Sequence, residues 1–218
     1  MTSLIIFGIA ILIGLVSFLR RSKRTSNGET NHSKGSNIHN PKILLLQIGT
    51  LNQSQLDADL TIYCDYYTNV TTKTVNNLKE FIDFISNASF DLFHLFVNID
   101  KDGNIIDGSD KITVGKIISV IQARNAKYIF FANDSPSDSY TNGSKGLKHT
   151  TNIVMTLERK GNNFSEFFKK VFSKVSKGQT LPVAWNEIAP QIPGVEHDNT
   201  PSCMAVMGAG SVILRGDK

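Results

Sequence analysis

Several apolar runs in this chain are too continuous to be one-sided. Lys42–Ile48 (KILLLQI), Phe90–Val97 (FDLFHLFV) and Lys127–Phe131 (KYIFF) show almost no alternation of apolar and polar residues. A strand with one face in water alternates, so strands of this kind belong in a sheet covered on both faces. Helical patterns separate them. Val75, Leu78, Phe81, Ile82 and Ile85 fall at helical spacing. So do Val114, Ile117, Ile118 and Ile121 behind a capping Thr113. Phe164, Phe167, Phe168, Val171, Phe172 and Val175 form a third stripe, with Asn163 and Glu166 as a capping pair and Gly178 as its stop. Leu60–Tyr66 (LTIYCDY), rich in β-branched and aromatic residues, reads as a further strand, as does Asn152–Leu157. A short helix over Pro182–Ile188 and a last strand over Met204–Leu214 complete the pattern. Strands alternating with helices predict an α/β domain over 41–218 with a mostly parallel, Rossmann-like sheet flanked by helices.

Ahead of this domain, Ser3–Leu19 is an uncharged run followed at once by RRSKR. At helical rise it covers about 25 Å, enough for one transmembrane helix at 3–19. A signal peptide carries its positive charge before the apolar core, whereas here the charge follows it. The positive-inside rule then places the N-terminus outside and the rest of the chain in the cytoplasm. Residues 20–40 are polar and without periodicity, and read as a basic, flexible juxtamembrane tether whose start can hold anionic lipid.

That segment also accounts for the net charge of +4. Arg20, Arg21, Lys23, Arg24 and Lys34 face only Glu29 in the first 40 residues, so the remaining 18 basic and 18 acidic residues cancel. A neutral domain gives no electrostatic ground to expect nucleic acid. Two cysteines exclude a disulfide scaffold and a four-cysteine zinc site, and fit a reducing compartment. The Asn-x-Ser/Thr triplets at Asn69, Asn87 and Asn163 are chance products of an Asn- and Ser-rich chain. Asp100-Lys-Asp-Gly has glycine where an EF-hand does not want it and Lys111 where its glutamate belongs, so it reads as an Asp-Gly turn. No phosphate loop or nucleophile elbow is present, and no metal or cofactor is expected.

In open α/β sheets, ligands bind beyond the carboxyl ends of the strands. Two such ends stand out: Val97-Asn98-Ile99 and Ala132-Asn133-Asp134-Ser135. Asp91-Leu92-Phe93-His94-Leu95-Phe96-Val97-Asn98 resembles the D-x-x-H-x-x-x-H-G strand of CHAT-type, caspase-like cysteine proteases, and Lys127–Ser135 resembles their V-x-x-x-A-C-x-S strand. The resemblance implies a caspase-like fold. It also places Asn98 where the family has its general-base histidine, and Asn133 where it has its nucleophilic cysteine. An amide has neither a proton to exchange near neutral pH nor a thiolate's nucleophilicity.

The expectation is therefore a membrane-anchored, catalytically inactive caspase-like domain. It would act as a sensor, adaptor or scaffold beside a defence or regulated-proteolysis system, with a protein partner, a second copy of itself being a further candidate. His94, Asn98, Asn133, Asp134 and Ser135 are the candidate ligand-binding residues, with His94 mid-strand read as a hydrogen-bonded core residue. Two alternatives stay open. One is a nucleotide- or small-ligand-binding Rossmann-like receptor. The other is a hydrolase pairing Ser135 or Ser137 with His94 or His149, or Cys203 with His197. Cys64, read as inside a strand, is expected to be buried and inert. The polar loop Asp134–Thr150 is expected to be either a solvated connection or a functional segment.

Overall fold

The computed structural model describes residues 36–159, 164–189 and 201–218. The run at 3–19, most of the tether, Asn163 and His197 lie outside them. Among the described residues no helix is long and apolar enough to cross a membrane. The elements in chain order are β1 (Ser36–His39), β2 (Ile43–Ile48), α1 (Gln53–Tyr66), β3 (Val70–Val75), α2 (Leu78–Asn87), β4 (Leu92–Phe96), β5 (Asn98–Ile99), β6 (Asn104–Asp107), β7 (Asp110–Thr113) and α3 (Val114–Gln122). They continue as β8 (Tyr128–Phe131), α4 (Ser139–Ser144), β9 (Asn152–Glu158), α5 (Phe164–Ser176), α6 (Leu181–Ile188), β10 (Ser202–Met207) and β11 (Val212–Arg215).

Six strands form the central sheet in the order β10-β9-β8-β4-β2-β3, all parallel except β10, which runs antiparallel to β9. The apolar runs are continuous because the sheet is covered twice. Ile43, Leu45, Phe96, Phe130 and Val154 turn to the face packed by α1, α5 and α6, while Leu44, Leu46, Phe93, Leu95, Ile129 and Phe131 turn to the face packed by α2 and α3. The aromatic stripe of α5 lies fully in the first core. Its helix ends as expected: Gly178 takes φ +107°, and the amides of Gly178 and Gln179 donate to Val175 and Lys174. Thr113 caps α3 by accepting from the Lys116 amide.

Three expectations differ from the structure. Leu60–Tyr66 is not a strand but the second half of α1, whose buried residues are Leu56, Asp59, Ile62 and Tyr63. Their spacing is helical, but the aspartate in the middle interrupts the apolar stripe, leaving only the β-branched and aromatic composition to read. Cys64 is consequently exposed on that helix rather than buried in a sheet. The last strand divides in two: β10 closes the central sheet, and β11 pairs in parallel with β1 in a separate two-stranded sheet. That pairing also makes Ser36–His39, placed in the tether on sequence, a strand of the folded unit. The Asp-Gly turn does form, between β5 and β6 of a small antiparallel sheet, with Gly103 at φ +79° and Asp100 accepting from the amides of Asp102 and Asn104.

Candidate functional site

β4 and β8 lie side by side in parallel, with Leu95 opposite Phe131, and the Ala132 amide donates to the Leu95 carbonyl. Their chains therefore emerge together at the carboxyl edge of the sheet. There Asn133 Nδ2 donates to Asn98 Oδ1 at 3.4 Å and to Asn52 Oδ1 at 2.9 Å. Asn98 is exposed and Asn133 half-buried, and the Asn133 Oδ1 is a buried acceptor with no hydrogen-bond partner. The two asparagines singled out on sequence are thus brought together.

Asn52, which sequence reading did not flag, joins them at a local cost. It occupies the N-cap of α1 yet makes no side-chain cap bond to that helix, and its oxygen goes to Asn133 instead. A capping asparagine contributes about 1 kcal/mol. Forgoing it at a strand-end cluster is the kind of local inconsistency that marks a site.

Beneath the asparagines sits a buried ion pair that sequence reading also missed. Arg159, just beyond β9, faces Asp59 of α1 two-fold: Nη1 donates to Oδ2 at 3.1 Å, and Nη2 donates to Oδ1 at 3.0 Å and Oδ2 at 3.2 Å. Asp59 is fully buried and Arg159 nearly so, with the guanidinium carbon 3.8 Å from the Phe164 ring centroid. The same arginine grips the chain on either side of Asn133. Its Nη1 donates to the Ala132 carbonyl at 3.0 Å, and its amide to Asp134 Oδ1 at 2.6 Å. Burial pushes the Asp59 carboxyl up to about 6, against the pull of Arg159.

His94 is beside this pair but is not hydrogen-bonded, contrary to expectation. Its Nε2 is 3.6 Å from Asp59 Oδ2, and neither ring nitrogen has a hydrogen-bond partner. The ring stacks on Phe96 at 4.6 Å and meets Phe130 and Tyr63 edge-on. Burial first, then the Arg159 charge, hold its pKa well below the usual value, so the ring is neutral. Being fully buried, it lines no cleft.

The other candidates are engaged elsewhere. Ser135 is buried, its hydroxyl donating to the Asn133 carbonyl and its amide to Thr156. Ser137 reaches only its neighbour Asp138, and His149 is bonded through Nε2 to the Tyr140 hydroxyl. No serine–histidine hydrogen bond joins these residues. Cys203 faces Thr156 across β9 and β10, and burial pushes its thiol up to about 12, which keeps it protonated. The loop 134–150 is largely exposed, as a solvated connection would be, but α4 within it docks on the β5–β6 turn. Ser139 and Asn142 donate to the carbonyls of Asp100 and Lys101, and a Cβ on Gly103 would fall 2.3 Å from the Ser139 carbonyl oxygen.

No protein-family model and no curated protein sequence matches this chain. Solved structures do. The structure of pro-sf-caspase-1 aligns over 86% of this chain and 96% of its own, with a TM-score of 0.53 at 9% identity. The crystal structure of drICE aligns over 86% and 93%, with a TM-score of 0.52 at 10% identity. At such identities the likeness shows the fold alone: the domain has a caspase-like fold.

Proposed function

We propose that this protein is a member of the CHAT-type branch of caspase-like proteins that has lost its peptidase chemistry. It works as a membrane-anchored sensor, adaptor or scaffold, held by residues 3–19 with its folded unit in the cytoplasm. The observation that carries the reading is the contact between Asn98 and Asn133 at adjacent strand ends. The sequence resemblance assigns these positions to a general base and a nucleophile, and catalysis there needs both groups within hydrogen-bond reach. The positions meet, but as two amides, and an amide pair can bind without cleaving. Neither cysteine offers a substitute nearby, since Cys64 sits on the exposed side of α1 and Cys203 on β10. A peptidyl acyloxymethyl ketone, which is attacked by catalytic thiolates, should label neither cysteine of the full-length chain. Labelling of either would overturn the reading. Flotation with liposomes, lost on removal of residues 1–35, tests the anchor.

A second reading, a small-ligand receptor, is favoured by the unpartnered Oδ1 of Asn133. The neighbouring amides suit a base or ribose better than a phosphate, because the cation beneath them, Arg159, is buried and engaged by Asp59. A thermal-shift screen with nucleosides and cyclic nucleotides decides it, since a ligand at 100 times its Kd adds about 2.7 kcal/mol of stability.

A further inference from the structure

At the far edge of the sheet from β10, strand β3 has no neighbour beyond β2 among the described residues. The pairing fixes which of its backbone groups are free. The amides of Ile43 and Gly49 in and after β2 donate to the carbonyls of Asn69 and Val75, so the odd-numbered residues of β3 face β2. With a two-residue period, Val70, Thr72 and Thr74 turn their N–H and C=O groups outward. Four of the six residues of β3 are exposed, so nothing in the chain's described residues covers this edge.

Directly below the edge, on the α2 side of the sheet, is an open apolar groove of about 600 Å³. Its floor is Val75, Phe84, Ala88 and Phe90. Its helical wall carries Glu80 and Asp83, one turn apart on α2, and the β3 wall carries Lys73. Glu80 is held by Asn76, which donates to it through backbone and side chain. Among the described residues, the carboxylate of Asp83 and the ammonium of Lys73 make no hydrogen bond or ion pair. Phe90 and Phe84 are only partly buried despite their size.

We infer that this edge and groove are a docking site for an extended segment of a partner protein, which adds to β3 as a seventh strand. A strand there would bond the outward groups of Val70, Thr72 and Thr74. Every second side chain would drop into the groove, which takes one large aliphatic residue over Phe84 and Phe90. The occupant is basic as well as apolar, because the helical wall presents two carboxylates against one lysine. A second copy of β3, of sequence VTTKTV, has no large aliphatic residue to place over Phe84 and Phe90, which disfavours a second copy of this chain as occupant. Specificity comes from the side chains in the groove, and affinity from the main-chain ladder.

The site lies on the opposite side of β2 from Asn98 and Asn133, so its occupancy stands or falls separately from the fate of the peptidase chemistry. The test uses the full-length chain in detergent and two acetylated, amidated heptapeptides, TKTLTKT and TETLTET, whose charged residues share a face with the leucine that enters the groove. The basic peptide should bind at least tenfold more tightly, and should slow hydrogen exchange across 69–76. Thr72→Pro removes one outward amide and leaves the β2-facing ladder intact, because proline is tolerated on the solvent side of an edge strand. It should abolish binding with an unchanged melting temperature. Should that variant unfold, Asp83→Lys, a substitution of an exposed side chain, serves instead and should narrow or reverse the preference between the peptides. Binding without slowed exchange at 69–76, equal binding of both peptides, or a β3-mediated dimer that Thr72→Pro dissolves would each overturn the inference.

Discussion

Replacing Arg159 with methionine tests the construction of the site from below. The substitution keeps the side chain's length and apolar contact with Phe164 but leaves Asp59 fully buried without its partner. Removing one member of a buried pair costs about 3–5 kcal/mol. The Ala132 carbonyl also loses a donor, at about 1–3 kcal/mol if no water reaches it. At pH 7 the expected loss is therefore about 4–8 kcal/mol. The double variant Asp59→Leu with Arg159→Met removes both charges and should lose only the Ala132 share. The single variant has a distinct pH dependence. In the native protein the Asp59 carboxyl titrates near 6, already above its unfolded value of 3.8. Without Arg159 it titrates higher still, so the variant's folded state takes up a proton first as pH falls. Its deficit should then shrink by about 1.4 kcal/mol per pH unit between neutrality and pH 6, and level off below that, where both folded states are protonated. Trp185, the one tryptophan, lies 6.1 Å from Phe130 in the same core and reports unfolding in urea. A loss below about 1 kcal/mol, or one independent of pH, would refute the assignment of Arg159 as a charged, buried clamp.

Other outcomes follow from the same geometry. His94→Phe should fit its aromatic surroundings and gain on the wild type by about 1.4 kcal/mol per pH unit as pH falls from 6.5 to 5. The unfolded histidine takes up a proton in that range while the buried one does not, and paired urea titrations at the two pH values measure the difference. Gly103→Ala should lower the melting temperature and loosen α4, because the added Cβ meets the Ser139 carbonyl and φ is +79°. Faster hydrogen exchange over 139–147 is the readout. Iodoacetamide at pH 8 should modify Cys64 well ahead of Cys203, as peptide mapping by mass spectrometry would show.

The parts of the fold that were legible in sequence are those whose burial is uniform. β2, β4 and β8 are apolar on both faces, and the stripe of α5 is unbroken, so period and length alone identify them. Elements with mixed burial were not. β3 is an edge strand of threonine and lysine with no apolar run to notice. α1 was misread because the centre of its buried face is Asp59, whose partner lies 100 residues away. The site divides the same way. Asn98 and Asn133 follow recognisable strand motifs, whereas Asn52 and the Asp59–Arg159 pair belong to it only through tertiary contact. The signal that was present, an aspartate at helical spacing between Leu56 and Ile62, needed a helix to be seen first.

The measurement that bears most directly on the loss of peptidase chemistry is a cleavage screen. The full-length chain, Asn98→Ala and Asn133→Ala would each be incubated with a proteome-derived peptide library, with new termini counted by mass spectrometry. All three should match the no-protein control. Cleavage by the native chain that either alanine substitution removes would mean that the asparagine pair is an active site after all.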